Sequence, residues 1–307
     1  MRRKKIVDNA VKNPTLITKR KKEKKLKIAA TVILYEPEES IKENIESYLN
    51  DVEIVYVIDN SINKDHQDKL PKSKKIVYIN NKRNLGIATA LNIGCKKALE
   101  DKFEFILTMD QDSKFEGENL KILIDFANEH ETKKIGIISP YHEIKTNIKE
   151  KNIDVEYPIE VMTSGNLLNL EAYKNIKGFK DEMFIDCVDI ELCMNLRVNG
   201  YEVIRYNKAR LRHELGNSKI YNFIIKKVVT SNHNAIRRYY ITRNILYTHQ
   251  MYYDYFPEYC DYIKRILKYQ ARNILLFERH KYKKIRNMLR GYKDFKRDIK
   301  GEYNYSD

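Results

Sequence analysis

The sharpest chemical signal in the sequence is Asp110-Gln111-Asp112, which follows the apolar run Phe105 to Met109. Two carboxylates one residue apart at the end of a buried strand can hold a hard divalent cation and, through it, the oxygens of a diphosphate. The alternative is a solvated turn, since Asp-x-Asp is common. Asp59 closes another apolar run. A carboxylate there can accept hydrogen bonds from a base or ribose, or Asp59-Asn60-Ser61 can simply turn the chain. Asn84-Leu85-Gly86-Ile87-Ala88 reads as a strand-to-helix turn with Asn84 as the cap and Gly86 permitting close backbone approach.

Further along, Asp186-Cys187-Val188-Asp189-Ile190-Glu191 sets three carboxylates at a helix start. The helix dipole accounts for one of them. A carboxylate kept ionised there can serve as general base, and the residues alone leave open which of the three it is. His213 follows a predicted strand and can complete a metal site with Asp110 and Asp112, or serve structurally, as an isolated His more often does. Arg237-Arg238-Tyr239-Tyr240 and Arg243-Asn244 put cations on neighbouring turns of one helix, suited to phosphate or to a solvated basic face.

The elements that must position these residues alternate. Predicted strands cover 28–35, 54–58, 76–79, 103–109 and 135–139, and predicted helices cover 40–49, 87–99, 120–128 and 188–199. Such alternation implies an α/β fold, a mainly parallel sheet with helices on both faces. Open sheets of this kind bind ligands at the carboxyl ends of their strands, where Asp59 and the Asp110/Asp112 pair fall. From Tyr221 onward the pattern is helical, basic and rich in Tyr, with no clear strand.

Charge is divided unevenly along the 307 residues. Residues 1–27 carry 12 Lys/Arg against 2 Asp/Glu, residues 28–216 carry 26 against 33, and residues 217–307 carry 20 against 8. A basic arm (1–27), a mildly acidic domain that holds the motifs (28–216) and a basic helical region (217–307) are therefore expected. The four cysteines form no Cys-x-x-Cys pair, and neither a signal peptide nor an 18-residue apolar run is present. A cytoplasmic chain, at most peripheral on an anionic membrane, is the expectation. A basic nucleic-acid-binding protein is the competing reading, with tyrosines stacking on bases. The acidic charge of the segment holding the motifs argues against it. Nucleotidyl transfer would need a Gly-rich phosphate loop after the first strand, and Tyr35-Glu36-Pro37-Glu38-Glu39 is not one.

Taken in order, Thr31 to Pro37, Val57 to Ser61, Asn84 to Asn92, Leu107 to Ser113, Thr163 to Asn166, and Gly178-Phe179 through Asp186 to Asp189-x-Glu191 and Gly200-Tyr201 resemble the family 2 glycosyltransferases. Within them the similarity is to the bacterial rhamnosyltransferase-like group. The resemblance covers roughly residues 28 to 216, and weakly the Arg-Tyr-Tyr and Arg-Asn segment. It implies a GT-A fold and inverting transfer of a sugar from a nucleoside-diphosphate donor to a glycan or lipid-linked glycan acceptor, with Mg²⁺ or Mn²⁺. On that basis Tyr35, Asp59, Asn84, Asp110 and Arg243 contact the donor, Asp110, Asp112 and His213 hold the metal, and Asp189 is the base. The basic C-terminal helices are expected to meet an anionic membrane surface or a second copy of the chain.

Overall fold

The computed structural model describes residues 25–143, 153–212, 219–223 and 226–303. They divide into two compact units, Met1–Lys180 with Asp189–Glu214, and Asp181–Val188 with Leu215–Asp307. The division differs from contiguous domains in one respect. A short stretch around Asp186, far along the first segment in sequence, packs with the C-terminal residues.

The first unit is built on β1 (Ile28–Leu34), α1 (Ile41–Leu49), β2 (Ile54–Asp59), β3 (Ile76–Asn80), α2 (Ile87–Glu100), β4 (Phe105–Asp110), β5 (Lys114–Phe115), α3 (Asn119–Glu129), β6 (Ile135–Glu143), β7 (Val155–Glu156), β8 (Asn166–Asn169), α4 (Leu170–Asn175), α5 (Val188–Val198) and β9 (Glu202–Arg212). These strands form one sheet in the order β3-β2-β1-β4-β8-β6-β9-β5, with β7 on β9. The pairs β1/β2, β1/β4, β2/β3 and β6/β9 are parallel, and the four-residue β8 runs against both β4 and β6. All six long strands consequently point the same way, and the mainly parallel α/β sheet expected from the alternation is present.

Period-two alternation decides which layer covers which face. Ala30, Val32 and Leu34 of β1 join a core with Ile41, Ile45 and Tyr48 of α1 and Leu120 and Leu123 of α3. Thr31 points the other way and meets α2. There Gly94 comes so close that a Cβ on it would lie 2.2 Å from Thr31 Oγ1. Helix α2 can lie flat on β1 only because residue 94 lacks a side chain.

The second unit contains β10 (Lys219–Phe223), β11 (Lys226–Thr230), α6 (Ala235–Tyr252), α7 (Pro257–Phe277) and α8 (Lys281–Lys296). The β10/β11 pair is an antiparallel hairpin, which corrects the strandless expectation after Tyr221. Its physical basis is the β-branched run Val228-Val229-Thr230, too short for a helix to outcompete. Asn234 caps α6, its side chain accepting from Arg237 N at 2.8 Å, and Pro257 opens α7 where its missing N–H costs nothing.

Helix α6 is unusual in burying charge. Arg238 is 1% exposed and donates to Glu278 Oε1 at 2.7 Å, while Lys284 donates to Glu278 Oε2 at 2.7 Å. One carboxylate is thus shared by two cations, from α6 and α8, away from water. Removing it would leave both uncompensated, so Glu278→Ala should cost about 3–5 kcal/mol. Denaturant unfolding of the variant, compared with Glu278→Gln, which retains hydrogen-bonding capacity, measures that loss.

Candidate functional site

The parallel register carries the candidate residues to one edge. Leu34 pairs with Asp59 and Ile33 with Asp110, so Tyr35, Asp59 and Asp110 emerge side by side at the carboxyl ends of β1, β2 and β4. Because β8 runs in reverse, its first residue Asn166 pairs with Thr108, which brings the loop Thr163 to Gly165 to the same edge. That loop is stitched to β4. Gly165 N donates to Thr108 O at 2.7 Å, Thr108 Oγ1 to Thr163 O at 2.6 Å, and Asp110 N to Ser164 Oγ at 3.0 Å. Gly165 sits at φ +81°, and a Cβ there would meet Leu211 Cδ2 at 2.8 Å, so the position demands glycine twice over.

The residue between the two carboxylates has its own task. The side-chain amide of Gln111 accepts from Tyr35 N at 2.8 Å and donates to Tyr35 O at 3.2 Å, copying one rung of a sheet ladder after the strands have ended. Its backbone carbonyl accepts from Asn44 Nδ2 at 2.8 Å. Gln111 is therefore tied to β1 and α1, while Asp110 is half-buried and Asp112 is exposed. An amide flanked by two carboxylates was the available sequence signal for this bridge, and its partner could not be read without the register.

Asp59 is placed differently from an open ligand contact. Its carboxylate is fully buried and accepts from Ser61 N at 2.8 Å and Tyr78 OH at 2.7 Å, with His66 Nδ1 at 2.9 Å. Burial opposes the charged form, but the hydrogen bonds from Ser61, Tyr78 and His66 outweigh it and hold the carboxyl below its usual range. An ionised carboxylate only accepts, so the Nδ1 of His66 carries the proton in this contact. His66 and Tyr78 were not legible in the sequence. Asn84 likewise acts through its neighbour. It accepts from Gly86 N at 2.9 Å, and Gly86, at φ +81°, occupies the capping position of α2 that the sequence suggested for Asn84. Tyr35 is 47% exposed at the edge.

Of the three carboxylates at the start of α5, Asp189 is half-buried and lines a cavity of about 10 Å³, the size of one water, with Thr108, Thr163, Asn166, Phe179 and Cys193. Asp189 Oδ1 accepts from Ile190 N at 2.9 Å. Glu191 is 1% exposed, with Lys180 Nζ 3.9 Å away. Asp186 is engaged by Arg237, which donates from Nη2 at 2.6 Å and Nε at 3.3 Å. Burial pushes the Cys193 thiol up to about 12, so it is no nucleophile at neutral pH.

Arg243 is not free to meet a donor phosphate, and here the structure corrects the sequence expectation. It is fully buried, and its guanidinium donates to Gly301 O at 2.7 Å, Glu182 O at 3.1 Å, Asn244 Oδ1 at 3.1 Å and Tyr239 OH at 3.2 Å. Asn244 Nδ2 donates to the carbonyls of Met183, Ile185 and Asp186 at 2.7, 2.8 and 3.0 Å. The segment so gripped is strained, with Phe184, Asp186 and Cys187 all in the left-handed region at φ +62°, +64° and +62°. Each such non-glycine residue costs roughly 1–3 kcal/mol. The Arg-Tyr-Tyr and Arg-Asn residues of α6 form a template that holds this turn.

His213 lies outside the described residues. Among the described residues no three His, Cys, Asp or Glu side chains gather as a metal cage. The donor set nonetheless suits a Mg²⁺-like ion, which takes one or two carboxylates and completes its shell with water and substrate phosphate oxygens. Asp110 and Asp112, with exposed Asp112 on a turn fixed by Gln111, fit that description.

Residues 30–188 match the family model described as glycosyl transferase family 2. The chain is 29% identical over 239 residues to the dTDP-rhamnosyl transferase RfbF of Shigella flexneri, covering 71% of this chain and 78% of that protein. Among solved structures it is similar to GalNAc-T7 with UDP, GalNAc and Mn²⁺ (TM-score 0.57, 12% identity, 90% of this chain) and to S. aureus TarS (TM-score 0.52, 15% identity, 89% of this chain). The chain spans 57% and 49% of those two chains. The likeness establishes a GT-A-like α/β fold.

The Gln111 bridge has a measurable signature. Two hydrogen bonds of about 1 kcal/mol net each link it to Tyr35. Gln111→Ala should lose about 1–2 kcal/mol of stability in denaturant unfolding, and Gln111→Glu, which can accept but not donate, should fall between it and the parent.

Proposed function

The chain belongs to glycosyl transferase family 2, and from that premise we propose that it moves a rhamnose-type sugar from a nucleoside-diphosphate donor to a hydroxyl of a glycan precursor, inverting the anomeric carbon. The observation that carries this reading is the meeting of Tyr35, Asp110 and Asp112 at one sheet edge with the loop Thr163 to Asn166, whose Thr163 and Asn166 line a water-sized cavity together with Asp189. The dTDP-rhamnosyl relative supports a thymidine diphosphate donor.

Each residue has a chemical part. Asp110 and Asp112 would hold a divalent cation, which supplies charge compensation for a leaving diphosphate. Asp189 accepts the proton of the acceptor hydroxyl as its oxygen bonds to the anomeric carbon. The bond from that carbon to the diphosphate oxygen breaks in the same displacement, and attack from the face opposite the leaving group inverts the centre. Exposed Tyr35 offers a ring face to the donor base. Asp59, being enclosed, acts by fixing Ser61 and the ends of β2 and β3 beside that ring. Its two ring neighbours, His66 and Tyr78, make it an organiser of the base end.

A panel of sugar nucleotides with Mn²⁺ or Mg²⁺ tests the reading. Nucleoside diphosphate release should be fastest with dTDP-rhamnose, and absence of release from every donor with either cation would overturn it. Exposed Asp112 can be changed without touching the core, so Asp112→Ala should abolish transfer while leaving the unfolding midpoint within experimental error. Chelator should have the same effect on the parent protein.

Asp189→Asn separates proton transfer from binding. The amide keeps the volume but accepts no proton from the hydroxyl, so kcat should drop roughly 10²-fold or more with donor KM little changed. An equal loss in donor affinity would make Asp189 a binding group instead.

A further inference from the structure

The sequence offered an apolar face on the C-terminal helices, and the structure sorts that face into two sets. Ile263 and Ile274 of α7 are buried. Leu275 and Leu276, on the last turn of α7, are 56% and 53% exposed, and Tyr282, on the first turn of α8, is 81% exposed. Between these helices the chain turns a sharp corner at His280, which sits at φ +55°.

The charge at this corner is one-sided for a structural reason. Its single carboxylate, Glu278, is turned inward and consumed by Arg238 and Lys284. What remains outside is Arg279, Lys281 and Lys283, all exposed, beside the two leucines and the tyrosine. The pattern continues back along α7, where exposed Tyr262 and Tyr269 sit at helical spacing with Leu276, and the Arg272 guanidinium lies 4.7 Å from the Tyr269 ring centroid.

We infer that this corner docks on the surface of an anionic lipid bilayer, with Leu275, Leu276 and Tyr282 entering the boundary of the acyl region and Arg279, Lys281 and Lys283 meeting the headgroups. Aliphatic side chains gain by leaving water for the acyl boundary, cations gain from anionic headgroups, and tyrosine suits the interface between the two. A second copy of the chain fits this surface poorly, because self-pairing would bring like charges together. A nucleic acid would satisfy the cations but leave the paired leucines in water.

The chain contains no tryptophan, so Tyr282→Trp creates a single reporter at the corner. With the full-length protein, its emission should shift to shorter wavelength on adding phosphatidylglycerol/phosphatidylcholine vesicles at low salt. The shift should reverse at high salt and be absent with phosphatidylcholine alone. Co-sedimentation with the same vesicles should weaken at least tenfold for Leu275→Ser/Leu276→Ser and for Arg279→Gln/Lys281→Gln/Lys283→Gln. Nucleoside diphosphate release without vesicles should be unchanged in all three variants, which separates this surface from the sugar-transfer reading. Four results would overturn the proposal: no spectral shift, vesicle binding indifferent to both corner variants, a shift produced by DNA but not by vesicles, or loss of a dimer in the variants without lipid binding.

Discussion

The site depends on the parallel register that sets Leu34 against Asp59 and Ile33 against Asp110. Strand β1 is almost wholly buried, and strands covered on both faces are apolar throughout, so their register is enforced by packing on two sides at once. A one-residue slip would send Val32 and Leu34 into the α2 layer and turn the Thr31 hydroxyl into the apolar core beside Ile41, Ile45 and Tyr48. The same slip would separate the strand ends. The geometry of the candidate site and core packing are in this sense one constraint.

Where the strands stop, side chains continue the ladder. Gln111 takes over from the backbone between β4 and β1, and Ser164 does so between the reversed β8 loop and β4. Asp59 closes the β2 and β3 end of the edge with Ser61, His66 and Tyr78. Its depressed proton affinity makes this a source of stability at neutral pH. The contribution is complete above the ordinary carboxyl range and is lost as the pH falls through the lower folded value. Polar groups that could have been solvated are thus spent on rigidity, which leaves Asp112 and Tyr35 exposed on a fixed frame.

The C-terminal unit uses buried charge for a related purpose. Arg243 and Asn244 donate six hydrogen bonds to backbone carbonyls, from Gly301 and from residues 182 to 186, and hold three left-handed residues that would otherwise relax. Arg238 and Lys284 meet over Glu278. Both clusters lie on α6 and its neighbours, and both withdraw charge from the surface that the composition alone would have left there.

The sequence by itself determined the α/β alternation, the placement of Asp59 and Asp110 at strand ends, and the start of α5 at Val188, because apolar periodicity and strand-ending carboxylates are local properties of the chain. It also showed the family, through motifs whose order survives any uncertainty about contacts. It misread the hairpin at Lys219 to Thr230, where short β-branched stretches lie in a generally helical surround. Only the tertiary structure decided that Arg243 faces backbone carbonyls, that Asp59 is enclosed by His66 and Tyr78, and that Glu278 turns inward while Leu275 and Leu276 turn out. Each of these depends on which groups from distant segments arrive within hydrogen-bonding distance. A buried arginine and a phosphate-binding arginine have the same local sequence and differ only in what the fold brings to meet them.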